Sequence, residues 1–347
     1  MDLKNRDLES WLAKQDKRKF PQNGKVSYYE QYALAAEYLN NNVHNQVNPV
    51  AALKDGGFLT DHGPDHIKTV IKRASELVNT PKFDLEPYEV YLLLMAIHFH
   101  DVGHIKDGRY QHEINSKYVI KDLGARLGTD DIEKRYMYKI AEAHGGEIDG
   151  KKDKIRFLLE KDTVLNCQIR PQLLAAILRF ADELSDDRTR AARYLIENGG
   201  IPRTSEIFHR YAYSLHSVRV DLEGKFLEMN FEVTKDDIFK KCGKNNEEMY
   251  LIDEIYERTL KTYAECKYCM RFIPLNIHIK SIKVKIEFID EDFEYFRAPI
   301  TYQLAETGYP DVNKMDIFNM CPDELSPNGV KLTGSKLKEL MEKESGG

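Results

Sequence analysis

The sequence has little from which to build a disulfide scaffold. Five cysteines, Cys167, Cys242, Cys266, Cys269 and Cys321, are spread over 347 residues. An odd, sparse set of this kind is expected to be reduced thiols in a cytoplasmic protein. No apolar run approaches the roughly 20 residues of a membrane helix, so no membrane partner is expected. The stretch from Met1 to Lys19 is charged and lacks the apolar core of a secretory signal. There is no basic excess either. The net charge of −6 gives no general pull toward nucleic acid or an anionic surface. Nucleic acid is therefore not the favoured partner. Two peptidase- and finger-like arrangements are also missing. There is no His-Glu-x-x-His, and Cys266-Lys-Tyr-Cys269 has no second Cys or His pair to complete a zinc site.

What is present is a string of helices with buried stripes. Residues 1–25 read as a short helix and a loop, and Tyr28 to Leu39 as a helix. Gly63-Pro64 opens a helix whose face carries Ile67, Val70, Ile71, Ala74, Leu77 and Val78. Glu86-Pro87 opens another that is apolar nearly all round, as expected of a helix buried on most sides. It runs into Met95-Ala-Ile-His-Phe-His-Asp-Val-Gly-His104, with Gly103 as its stop. Further helices are expected from His112, from Asp130 to the Gly145-Gly146 stop, and from Arg170-Pro171. Lys151 to Ile169 reads as partly loop. Beyond about Tyr211 the period changes to two. Ser217–Val220 and Phe226–Val233 read as a hairpin around Glu223-Gly224, Glu247–Phe272 as a helix, and Ile277–Ile289 as a strand. Residues 291–347 have weak periodicity and end in an expected frayed helix and tail.

The expectation is a mainly α protein with a smaller C-terminal α+β (β-β-α-β) module. It divides into an N-terminal helical extension (1–55), a core (56–210), the module (211–290) and a C-terminal segment (291–347).

Histidines and aspartates fall at the ends of these buried stripes, where an unpaired imidazole or carboxylate is costly. One helix start gives His66, the end of the apolar helix gives His100 and Asp101, another start gives His112, an end gives His144, and a late helix gives Asp182. Six N and O ligands suit two divalent ions, with Asp101 shared. His66, His100, Asp101 and Asp182 would hold one; Asp101, His112 and His144 would hold the other. Mn, Fe, Zn, Ni or Mg fits such a set. For His62, His98 and His104 a packing role weighs as heavily as a ligand role. His209, His216 and His278 are expected to be structural or surface residues, and His44 a surface residue.

The order His…His-Asp…His…His…Asp resembles the HD-domain superfamily of metal-dependent phosphohydrolases. The phrases that carry it are His66-Ile-Lys-Thr-Val, His100-Asp-Val-Gly, His112-Glu, Ala143-His-Gly-Gly-Glu and Leu178-Arg-Phe-Ala-Asp-Glu-Leu, covering about residues 56–195. The resemblance implies a helical bundle core and hydrolysis of a phosphate ester or anhydride, often of a nucleotide, by a metal-bridged hydroxide. The small phosphorylated substrate would meet Lys106 and Arg109 just after the motif, and Arg188, Arg190 and Arg193 after Asp182. Asp101, His104, Lys106 and Arg109 are the catalytic candidates, with His104 a proton donor. Glu113, Glu147 and Glu183 would orient neighbouring imidazoles. The Gly-Tyr-Pro signature of the cyclic-dinucleotide branch occurs only as Gly308-Tyr309-Pro310, far from any His-His pair, and is taken as coincidence. A non-catalytic metal- or nucleotide-binding regulatory module is an alternative. So is a nuclease, since Asp61-His-Gly-x-x-His with Ala181-Asp-Glu-Leu also resembles bacterial HD proteins of defence systems. A homo-oligomer is compatible with the sequence.

Overall fold

The computed structural model describes residues 3, 7–21, 27–47, 57–58, 60–107, 111–123, 130–290, 292, 294–306 and 315–345. The chain is mainly α with a smaller α+β part, as expected. It forms two compact units that interleave along the sequence. The first comprises Met1–Ala51, Asp61–Ser185 and Tyr268–Ile277; the second comprises Ala52–Thr60, Asp186–Lys267 and His278–Gly347.

The first unit is built from α1 (Leu8–Leu12), α2 (Tyr28–Asn42), α3 (Pro64–Val78), α4 (Pro87–Phe99), α5 (His104–Asp107), α6 (His112–Leu123), α7 (Asp131–Glu142) and α8 (Pro171–Glu183), with a short hairpin β1 (Asp162–Val164)–β2 (Cys167–Ile169). Its centre is α4. Pro87 occupies the first turn, where its missing N–H costs nothing, and Glu86 and Glu89 cap each other's backbone. Every residue of α4 is buried, because α1, α2, α3, α7 and α8 pack around it. Helices α3 and α8 also begin with proline, and α7 begins with an Asp130–Glu133 capping box. These starts are local and strong, which is why they were legible.

A buried carboxylate ties α2, α4 and α7 together. Glu133 Oε1 accepts the hydroxyls of Tyr28 and Tyr88, each at 2.9 Å, and Glu133 Oε2 accepts the Asp130 N–H at 3.1 Å.

His44 corrects the surface expectation. It is buried, with Nε2 at 3.2 Å from His98 Nδ1, and Tyr32 Oη lies 3.2 Å from His98 Nε2. The residues around His44 form a short 3-10 turn after α2 that folds its ring inward, a tertiary effect with no periodic signal. His98 thus packs against Tyr32 and His44. Burial, with His100 adding to it, pushes the His98 imidazole down to about 3.

The second unit carries α9 (Arg193–Glu197), α10 (Glu206–Ser214), β3 (Leu215–Asp221), β4 (Phe226–Thr234), α11 (Lys235–Phe239), β5 (Lys241–Lys244), β6 (Glu247–Tyr250), α12 (Leu251–Met270), β7 (Ser281–Ile289), β8 (Tyr295–Ala305), α13 (Ile317–Met320), α14 (Pro322–Leu325) and α15 (Gly334–Ser345). Its sheet has the order β3-β4-β7-β8, with β4 and β7 parallel. A parallel pair needs a long crossover, and α12 lies within it.

The expected helix over 247–272 begins instead at Leu251. Glu247–Tyr250 pair with Lys241–Lys244 around Asn245, which takes φ +54°. Strand β7 starts at Ser281, since Leu275–Ile277 form a 3-10 turn. The module also gains β8, an edge strand whose Ile300, Tyr302 and Leu304 point inward. Gly308-Tyr309-Pro310 lies outside the described residues.

Candidate metal centre

The ends of α4 and α7 and the starts of α3, α5 and α6 in the first unit bring histidines to one carboxylate, and the end of α8 adds a second. α4 ends at Phe99, so His100 and Asp101 follow at its C-terminus. There the last carbonyls lack intrahelical partners, and His100 Nδ1 donates to the carbonyl of Ile97 at 2.7 Å. α7 ends at Glu142, two residues before His144, whose Nδ1 donates to the carbonyl of Ala141 at 2.6 Å. In both residues this hydrogen bond fixes the ring and turns Nε2 toward the cluster, the orientation typical of metal-ligating histidine. α3 supplies His66 from its first turn, α6 begins with His112, and the last turn of α8 carries Asp182.

Asp101 stands among six imidazoles. Its Oδ2 lies 2.7 Å from His62 Nδ1, 3.4 Å from His66 Nε2 and 3.1 Å from His100 Nε2. Its Oδ1 lies 3.6 Å from His104 Nε2, 3.5 Å from His112 Nε2 and 3.6 Å from His144 Nε2. Asp182 Oδ1 closes the first side, 3.2 Å from His66 Nε2 and 3.6 Å from His100 Nε2. Across the groups, His66 and His100 Nε2 are 3.3 Å apart, and His112 and His144 Nε2 are 3.2 Å apart.

The spacing fits a metal. Donors held about 2.0–2.2 Å from a common ion in tetrahedral array stand roughly 3.3–3.6 Å from one another. The donor pairs of the first group fall between 3.1 and 3.6 Å. Three sets each offer one ligand atom per residue within 4.8 Å: His66–His100–Asp101–Asp182, Asp101–His112–His144, and His62–Asp101–His104. The N/O chemistry of these donors suits divalent first-row ions. The cluster can therefore hold divalent metal.

Its charge distribution agrees. Burial opposes ionisation of Asp101, but His100 and His62 outweigh it and hold the carboxyl well below its usual range. Asp182 is likewise held down against its burial by His100 and His66. Burial pushes the His144 imidazole down to about 3, with His100 adding to it. Two carboxylates thus stay ionised and His144 stays neutral, the forms a metal requires, whereas against its burial Asp101 and Asp182 hold the His100 imidazole well above its usual range, so an ion there displaces a proton.

Backbone close approach holds the cluster. A Cβ on Gly103 would fall 1.8 Å from the His112 carbonyl oxygen and 2.9 Å from Ser116 N. Only a glycine lets the turn after Asp101 touch the start of α6. Gly146, at φ +71°, lies against Glu113, where a Cβ would fall 2.0 Å from Oε1. Glu113 in turn sits 3.5 Å from His112 Nδ1 and 3.8 Å from the buried Lys154 ammonium.

The remaining candidates lie as follows. Lys106 belongs to α5, and Arg109 is outside the described residues. Arg188, Arg190 and Arg193 fall in the second unit. There Arg188 pairs with Glu232 at 2.8 Å, Arg193 with Glu197 at 2.8 Å, and buried Arg190 lies 3.6 Å from Asp186. Glu147 is exposed. His209 is buried, His216 is half-exposed beside Glu232 at 3.3 Å, and His278 is partly buried. Cys266 and Cys269 are buried thiols outside any disulfide.

His62 and His104, for which the sequence weighs packing and ligation equally, lie on opposite oxygens of Asp101. The available signal for His62 was its spacing of four from His66.

A model of the HD-CE family matches residues 56–258, more than half of the chain. The chain belongs to the HD-CE family, an HD-type family. No curated protein matches it. Among the described residues, no helix is long and apolar enough to cross a membrane.

Proposed function

We propose that this chain is a metal-dependent phosphohydrolase of the HD superfamily that acts on a phosphate ester or anhydride, with a nucleotide as the preferred substrate. The observation that carries the reading is the division of labour at Asp101. Oδ2 faces His66 and His100, beside Asp182, while Oδ1 faces His112 and His144. A carboxylate so placed is suited to bridge two ions, the first held with His66, His100 and Asp182, the second with His112 and His144. Bound divalent cations would supply an acidified water and neutralise charge that develops on the phosphoryl oxygens.

The chain's own residues do the rest. Asp101 and Asp182 provide fixed negative charge. Ile97 and Ala141 carbonyls hold His100 and His144 in the ligating orientation. His104, on the Oδ1 side, is the proposed proton donor to the leaving oxygen. Lys106 and Arg109 are proposed to meet substrate phosphate because they follow the His-Asp motif directly. Arg188, Arg190 and Arg193 are kept as candidate substrate contacts on their sequence position alone.

The test is a metal analysis of protein purified without chelator, followed by a nucleotide panel with manganese, magnesium and nickel. Asp101→Ala is expected to lose bound metal and to lower hydrolysis on the order of a hundredfold or more. Full metal content and full turnover in that variant would sink the reading.

A further inference from the structure

Asp101 has more imidazole around it than two ions require. His62 and His104 are left over, and both are buried. One donor atom from each lies within 4.8 Å of the other and of an Asp101 oxygen, and their ring centroids are 4.5 Å apart. We propose that His62, His104 and Asp101 form a third subsite for a divalent first-row cation, beside the pair. This proposal rests on the two-ion reading, because Asp101 is common to all three groups, and with a third ion bound His104 serves as its ligand in place of the proton-donor role given above.

The donors are two imidazole nitrogens and a carboxylate oxygen, the same mixed N/O chemistry as the other groups. Their backbones are fixed without help from an ion. His62 sits between Asp61 and Gly63, where Asp61 Oδ1 accepts the Gly63 N–H at 2.8 Å. A Cβ on Gly63 would fall 2.9 Å from that same oxygen and 3.4 Å from the His44 carbonyl. His104 opens α5, and its N–H donates to the Asp101 carbonyl at 3.0 Å. Its ring stacks on His112 at 4.2 Å with an interplanar angle of 12°, which sets the plane of the imidazole.

The 2.7 Å contact between His62 Nδ1 and Asp101 Oδ2 is a hydrogen bond when no ion is bound. Two donors that share an ion stand roughly 3.3–3.6 Å apart, so an ion that enters here parts His62 Nδ1 from that oxygen or uses the other Asp101 oxygen, Oδ1.

Three protein donors leave such an ion with open positions for oxygen ligands. Asp101 and Asp182 are the only carboxylates in the three groups. A fully loaded centre is therefore strongly cationic and favours an anionic ligand. Phosphoryl oxygens are the ligand class that fits. The third ion would take an oxygen that the first two leave unneutralised.

The experiment uses the full chain loaded with manganese, with anomalous diffraction and metal analysis on the same preparation. The expected result is a third anomalous peak within bonding distance of His62 and His104. His62→Gln and His104→Gln are each expected to lose about one ion per chain and that peak alone. Should either variant fail to fold, the wild-type map decides by itself. A wild-type chain with two peaks, unchanged in number by His62→Gln, overturns the third subsite and leaves the two-ion reading standing. A wild-type chain that binds no ion overturns both.

Discussion

His62 Nδ1 approaches Asp101 Oδ2 to 2.7 Å, closer than His100 at 3.1 Å or His66 at 3.4 Å on the same oxygen. The other oxygen, Oδ1, faces His104, His112 and His144.

The two aspartates are accordingly expected to differ in what they control. Asp182 Oδ1 lies 3.2 Å from His66 Nε2 and 3.6 Å from His100 Nε2. Asp182→Asn should weaken one ion and spare the other, while Asp101→Asn should remove both. Metal content after dialysis distinguishes the two outcomes. Equal losses in the two variants would contradict the assignment.

Ion binding should also stabilise the fold. A ligand that binds only the native chain contributes about 2.7 kcal/mol at a hundred times its Kd. Thermal unfolding with excess manganese is expected several degrees above that with chelator. Asp101→Ala should abolish the difference.

Gly103→Ala tests the close approach. The added methyl meets the His112 carbonyl oxygen at 1.8 Å, and rigid backbone on both sides cannot absorb it. The start of α6 must move, at about 1–3 kcal/mol or more. The second ion, held through His112, should weaken more than the first. Calorimetric unfolding together with metal titration reads both effects.

Glu133 makes a prediction remote from the metal. Glu133→Ala leaves two buried tyrosine hydroxyls without their acceptor, and each buried polar group left unpaired costs about 1–3 kcal/mol. Tyr28→Phe or Tyr88→Phe removes one bond only and should cost about 1 kcal/mol. Denaturant unfolding of the single and double variants checks the order. Tyrosine variants more damaging than Glu133→Ala would overturn it.

His209 gives the second unit a pH dependence. The ring is buried, lies 3.2 Å from the Phe58 carbonyl oxygen through Nε2, and accepts the Ala192 N–H at 3.3 Å through Nδ1. Burial lowers its pKa below the usual value, the Phe58 contact opposing that shift. The native ring is then neutral where the unfolded ring takes a proton. Its contribution is complete above the unfolded value of about 6.5. It is lost as pH falls from there through the folded value. His209→Gln should flatten the fall in stability below pH ~6.5, by at most about 1.4 kcal/mol per pH unit. Parallel wild-type and variant slopes would count against it.

Much of the helical unit was legible because its signals are local. Gly63-Pro64, Glu86-Pro87 and Arg170-Pro171 mark helix starts that α3, α4 and α8 obey. Six polar residues on buried stripes pointed to one another, and the fold brings all six together. What escaped was set by contacts distant in sequence. His44 is turned inward to meet His98, 54 residues away. Glu247–Tyr250 continue the helical pattern of α12, yet cross-strand pairing with Lys241–Lys244 claims them. In β8, alternation holds only from Ile300 to Leu304, and Pro299 and Arg297 interrupt it before that. His62 lay outside the periodic part of α3, so no stripe included it.

The first ligand group runs from His66 to Asp182, with Asp101 between. No fragment of the chain that stops short of α8 contains it. Capture of an ion by all four donors therefore reports long-range closure of the first unit, and a metal signal that follows refolding in time would act as a clock for that closure. Partial chains would bind ions through loose histidines, with different stoichiometry and weaker retention. Metal retention would thus measure native topology in this protein as well as its chemistry.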